Sequence, residues 1–179
     1  MYGAWRLARL DRSAMAIFDR SMVGVWHSFL AAVICYPGFL ILLTLRLEPT
    51  QIDQSGLFHI WLVESIGYVI AWCAFPLLIF RFCRWLGRET QGFDFIIAYN
   101  WSQILQTALL LLVALLVAIA PVTTDVAAVL ELVAYLAILL YEWFIARVAL
   151  DAGGLTATTV VLIDIVLGSV LVRVTAALY

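Results

Sequence analysis

Charge is the scarcest ingredient of this chain. Only 12% of its 179 residues are Asp, Glu, Lys or Arg, against about 25% in a soluble domain. Lysine is absent, so all ten basic residues are arginines. The formal net charge is −2, which leaves no basic footprint for nucleic acid. Three cysteines, Cys35, Cys73 and Cys83, have neither metal-ligand nor disulfide-framework spacing. They read as small apolar side chains. The two histidines, His27 and His59, lie near the edges of apolar runs and form no matched pair for haem or zinc. Phosphate-binding glycine loops, nucleophile elbows and His-Glu-x-x-His motifs are missing. These absences exclude a soluble globular domain and a disordered chain, and they give no support to an enzyme, a metal site or a bound cofactor.

What remains is apolar. Hydrophobic residues make up 66% of the chain, and mean hydropathy is +1.09. Five stretches have the length of a bilayer crossing, about 20 residues at 1.5 Å each: 23–45, 57–80, 95–120, 122–146 and 155–178. They are solidly apolar and do not alternate, which predicts helices and not a barrel. Pro121 divides what would otherwise be one overlong run and predicts a tight helical hairpin. Pro37 and Pro76 predict kinks within the first and second spans. The first run is too long for a cleaved signal peptide and reads as a retained span. The fold class is therefore all-α, a polytopic membrane bundle forming one membrane domain over residues 23–179.

Charge sets the expected orientation. Arg6, Arg9, Arg12, Arg20, Arg81, Arg84, Arg88 and Arg147 fall on one side of a five-span topology, and only Arg46 and Arg173 on the other. That places the N-terminus in the cytoplasm and the C-terminus outside. Residues 1–22 carry Leu7, Leu10, Ala14, Ile17 and Phe18 at helical spacing. They read either as a short amphipathic helix lying on the cytoplasmic leaflet or as a plain positive flank. Arg81 with Gly87 and Arg147 with Gly153 repeat one spacing at two turns, for which chance is sufficient explanation.

Polar groups inside the spans need a partner or a wet cavity. Asn100, Gln103 and Gln106 lie in the third span, Glu142 in the fourth and Asp164 in the fifth. Gln103, Glu142 and Asp164 count to a similar depth, about 10–14 Å from the arginine-rich side. Arg147, just over a turn from Glu142, is the expected counter-charge. Glu64 and Glu131 lie similarly deep from the opposite side, with His59 near Glu64. The inner cluster has three readings: interhelical hydrogen bonds, a path for an ion, proton or solute, or a lipid-headgroup pocket closed by Arg147.

One stretch resembles a known family. Phe80-Arg81-Phe82-Cys83-Arg84-Trp85-Leu86-Gly87 is followed by Gly92-Phe93-Asp94-Phe95 and Ala98-Tyr99-Asn100-Trp101, and the fourth span closes on Trp143-Phe144-Ile145-Ala146-Arg147-Val148-Ala149-Leu150. This order is similar to the bacterial branch of the YIP-domain family, Rab-GTPase-interacting membrane proteins in eukaryotes, over about residues 23–178. The resemblance implies five spans, a cytoplasmic N-terminus, a bacterial inner membrane and a role in membrane organisation. The longer N-terminal region and Asp-Leu-Tyr-Gly-Pro motif of eukaryotic members are not found in this sequence, so Rab binding is not implied.

Three expectations follow. The first is a non-enzymatic membrane organiser acting through lipid, a homo-oligomer or a membrane-protein partner, with bound lipid as one form of it. The second is a small oligomeric transporter or channel with a polar path at Asp164, Glu142 and Gln103. The third is an accessory subunit of a larger membrane complex.

Overall fold

The computed structural model describes all 179 residues. Helices account for 85% of them and there are no strands. Five helical segments are long and apolar enough to cross a membrane: Met22–Arg46, Leu57–Trp85, Glu89–Ile119, Thr124–Ala149 and Gly154–Ala176. The protein is an integral, multi-pass membrane protein on that basis. Its many exposed large apolar side chains, such as Val33, Ile70, Leu140 and Val172, meet lipid tails at no hydration cost.

In chain order the helices are α1 (Tyr2–Ala8), α2 (Met22–Ser28), α3 (Leu30–Arg46), α4 (Pro49–Ser55), α5 (Leu57–Trp85), α6 (Glu89–Ile119), α7 (Thr124–Ala149) and α8 (Gly154–Ala176). A short 3-10 segment, Arg12–Ile17, lies between α1 and α2. The first span is thus two helices meeting at Phe29, where a single run was expected. The small α4 occupies what reads in sequence as plain loop. Pro49 opens it, and Glu48 and Gln51 form a reciprocal capping box. Pro37 and Pro76 both lie inside continuous helices.

The turns follow local chemistry. Thr123 caps α7 by accepting from the Val126 amide at 3.4 Å. Gly87 takes a left-handed φ of 69° after α5, the conformation glycine adopts without penalty. At the turn after α7 the left-handed residue is Asp151, with φ 46°, whereas Gly153 has φ −67° and precedes α8. The two glycines therefore do different jobs, and the apparent repeat has no structural counterpart. Arg88 joins these turns by donating to the carbonyls of Leu150 at 2.6 Å and Asp151 at 2.5 Å, which satisfies acceptors left free at the end of α7.

The N-terminal lead departs most from expectation. Leu10, with φ 61°, breaks it, so no single helix spans residues 1–22. Leu7 and Ala14 are fully buried while Leu10 and Ile17 face outward. The lead folds back on the bundle, with α1 packing on α6 and α7. Tyr141 donates its hydroxyl to the Ala4 carbonyl at 2.7 Å. Arg20 grips the Asp94 carboxylate with two nitrogens, one at 2.6 Å.

The main apolar core lies at this arginine-rich end. It joins Leu7, Ala14 and Val25 to Phe75, Ile79 and Cys83 of α5, Phe95–Ala98 of α6, Ile145, Ala146 and Ala149 of α7 with Leu150 just beyond it, and Ala157 and Val160 of α8. Four helices also close a ring: α5 packs on α6, α6 on α7, α7 on α8, and α8 back on α5. Helix α3 packs outside it on α6. Gly38 permits that approach, since a Cβ there would stand 2.8 Å from Thr107 Cγ2.

Candidate functional site

The middle of the ring is polar and not filled. One cleft of about 540 Å³ is lined by Tyr99, Gln103 and Gln106 of α6, Tyr135 and Glu142 of α7, and Asp164, Ser169 and Arg173 of α8. A single water needs only about 10–15 Å³ of such space. A smaller cleft of about 120 Å³ lies toward α5, against Trp72, Phe75 and Pro76, and reaches Asn100. Tyr99, Gln103, Asp164 and Gly168 line both. The two clefts, together the chamber, have the Tyr99–Asp164 contact as a shared wall. There the tyrosine hydroxyl donates to Asp164 Oδ1 at 2.9 Å.

Helix geometry explains this convergence. Gln103 and Gln106, three residues apart, share one side of α6. Antiparallel α7 and α8 bring Glu142 and Asp164 to the same level from opposite chain directions. Asp164 sits about ten residues, roughly 15 Å, into α8.

The chamber is under-satisfied. Glu142 is 5% exposed and Asn100 fully buried; Gln103 and Gln106 lie beside the Glu142 carboxyl, while Glu142 Oε2, Asn100 Oδ1 and Gln103 Nε2 make no hydrogen bond of good geometry. Asn100 commits its amide nitrogen to Ser28 Oγ at 2.8 Å, at the break between α2 and α3. Gln106 donates to Ser102 Oγ at 3.2 Å. An unpaired buried polar atom costs about 1–3 kcal/mol, and more when charged, which makes this the least well satisfied polar region of the bundle.

Arg147 is not part of this group. Its guanidinium stacks over the Trp143 ring at 5.2 Å, and no carboxylate comes within ion-pair distance of it. The ion pairs are Arg6–Asp11, Arg20–Asp94 and Arg84–Glu89. Trp143 competes successfully because the arginine lies just over one turn beyond Glu142 and so points along a different side of α7. The cation the chamber does see is Arg173, at its exposed rim.

The outer carboxylates separate. Glu64 accepts from the Tyr179 hydroxyl at 2.9 Å. Burial and then this bond push the Tyr179 phenol up to about 12. His59 lies 3.3 Å from the Leu178 carbonyl, and Ser55 donates to the Tyr179 carbonyl. Glu131 instead lines a separate cleft of about 590 Å³ between α3, α6 and α7, with Arg46 across it. No group of three His, Cys, Asp or Glu side chains is placed to hold a metal ion.

Tyr99, Ser28 and Arg173 belong to the polar network although the span pattern does not single them out. Tyr99 had a signal in its adjacency to Asn100, one helical position away. The Arg20–Asp94 pair spans 74 residues, and only the setting of Asp94, between Phe93 and Phe95, hints at a buried partner. No family model, curated protein or solved structure matches the chain.

Proposed function

We propose that this protein is a non-enzymatic membrane transporter whose α5–α8 ring is a solute-binding chamber. The observation that carries this reading is that Glu142 and Asp164, neither of them in an ion pair, both line the open space between α6, α7 and α8. The orientation in this proposal puts the arginine-rich end in the cytoplasm, supported by the excess of arginines there.

The test is water access. In a background with Cys35, Cys73 and Cys83 replaced by alanine, Ser169→Cys should react with a charged, membrane-impermeant methanethiosulfonate. Val166→Cys, on an exposed apolar site, should not. Equal reaction at both positions, or none at Ser169→Cys, would remove the chamber reading. A reporter fused after Tyr179 should read as periplasmic, and a cytoplasmic signal would overturn the orientation.

A second reading, a membrane organiser or accessory subunit, is supported by the lead. It leaves Tyr2, Trp5, Leu10 and Ile17 exposed at one end of the bundle, a surface suited to headgroups or a partner helix. The resemblance of residues 80–101 and 143–150 to the YIP-domain family supports the same reading. Native mass spectrometry of the lipid-extracted protein should then show an oligomer, a partner or retained lipid, and a bare monomer would count against it.

A further inference from the structure

We infer that the chamber's ligand is a small organic ammonium ion, its charged head between Glu142 and Asp164 and its apolar body against Tyr135, Ile138 and Ile165. This rests on the solute-chamber reading and adds the chemical class of the solute.

The argument begins with what faces the space. Two carboxyl groups line the larger cleft, and no Lys, Arg or His pairs with either. Arg147 is held over Trp143. Arg173 stands nine residues beyond Asp164 on α8, about 13.5 Å along the axis, where it is exposed to solvent at the mouth. The other ionisable side chains on the lining are Tyr99 and Tyr135. Two carboxyl groups in a poorly solvated space are an arrangement that a positive charge stabilises strongly.

Asn100 supplies an independent indication. It is fully buried, and its amide nitrogen is used on Ser28. Its oxygen, which has no donor, is buried in the wall of the smaller cleft. With Gln103 beside the Glu142 carboxyl, the atom left over is an acceptor, Asn100 Oδ1. An ammonium group carries up to three N–H donors and no acceptor, the complement of this oxygen and the two carboxyl groups.

An inorganic ion fits less well. No three ligating side chains converge, and a space of about 540 Å³ far exceeds an ion's coordination shell. Its walls include Leu110, Ile138, Leu139 and Ile165 with the Tyr135 ring. Such a lining rewards an apolar body joined to a single charged head.

The test uses phenethylammonium as probe and 2-phenylethanol, of matching shape without charge, as control. Titrated onto the purified protein in nanodiscs, phenethylammonium should bind saturably, and 2-phenylethanol should not bind over the same range. Asp164→Asn and Glu142→Gln should each weaken binding at least tenfold. Gly168→Phe provides a variant that leaves the carboxylates alone. A Cβ at Gly168 meets nothing within 4 Å, so the ring can enter the chamber and should abolish binding while the helices fold. Absence of phenethylammonium binding, equal binding of the alcohol, affinity unchanged in the carboxylate variants, or saturable Na+ binding in its place would each overturn the inference. Alcohol binding with a reactive Ser169→Cys would remove the cation and leave the solute chamber. An unreactive Ser169→Cys with no probe bound would remove both.

Discussion

The two halves of this bundle handle polar groups in opposite ways. At the arginine-rich end, buried charge is paired and the space between helices is filled. Asp94, 3% exposed, is gripped by Arg20, Arg88 closes two turns, and apolar side chains from the lead, α2 and α5 to α8 interlock around Phe95. From the level of Glu142 and Asp164 toward the other end, the same helices separate around clefts, and their carboxyl groups form no ion pair, although Arg173 and Arg46 line those clefts. Carboxylates are buried in both halves. What differs is whether a cation is placed beside them: Asp94 has Arg20, and Glu142 and Asp164 have none within ion-pair distance.

The comparison breaks first if pairing at the closed end proves unimportant. Arg20→Ala leaves the Asp94 carboxylate buried without its partner and should cost about 3 kcal/mol, the low end for a buried pair because Arg20 is itself half-exposed. Thermal or denaturant unfolding in detergent measures it. Asp94→Ala should cost less, since the freed guanidinium can hydrate. Gly24→Ala should be similarly severe, at about 3 kcal/mol, because its Cβ would fall 1.8 Å from the Asp19 carbonyl oxygen.

The open end should respond the other way. Asp164→Asn should stay within about 1 kcal/mol of the parent, since the amide oxygen still accepts from Tyr99, while losing ligand binding. A large loss of stability would mean that Asp164 is structural and the contrast false. Gly168→Ala should stabilise by about 0.5–1 kcal/mol through helix propensity, because nothing crowds the added carbon. Arg147→Ala should cost about 0.5–1 kcal/mol, the worth of a half-buried cation–π contact over Trp143, and leave the chamber unaffected.

The smallest effect is local and pH-dependent. In the lead, the Ser13 hydroxyl and then Arg6 hold the Asp11 carboxyl below the usual carboxylate range. A folded value below the unfolded one means the contribution is fully present above about pH 4 and lost as pH falls through the lowered value. Amide exchange over Arg12–Ile17 should therefore quicken on acidification below that point, and Asp11→Asn should remove the dependence.

The helical architecture was legible because a bilayer leaves few solutions: long apolar runs become helices, and turn residues such as Pro121 and Gly87 mark their ends. The depth of Gln103, Glu142 and Asp164 was legible for the same reason, since helical rise converts position into height. Partnership was not. Arg147 is near Glu142 by count, yet a guanidinium on a long stem chooses between a carboxylate and an indole according to side, which a depth count ignores. The lead misled for a related reason. Its helical spacing is genuine over α1, but the left-handed Leu10 and the pull of Asp94 on Arg20 turn the rest back onto the bundle, and such long-range pairing leaves no local pattern.

The docking of the lead has a consequence for biosynthesis. Ala4 finds its hydrogen-bond donor in Tyr141, 137 residues later. At about 5–20 residues per second, the lead waits roughly 7–27 seconds for that partner to be made. The lead is thus made before the surface it docks on, and a nascent chain stalled before α7 would hold it free for whatever else is at hand.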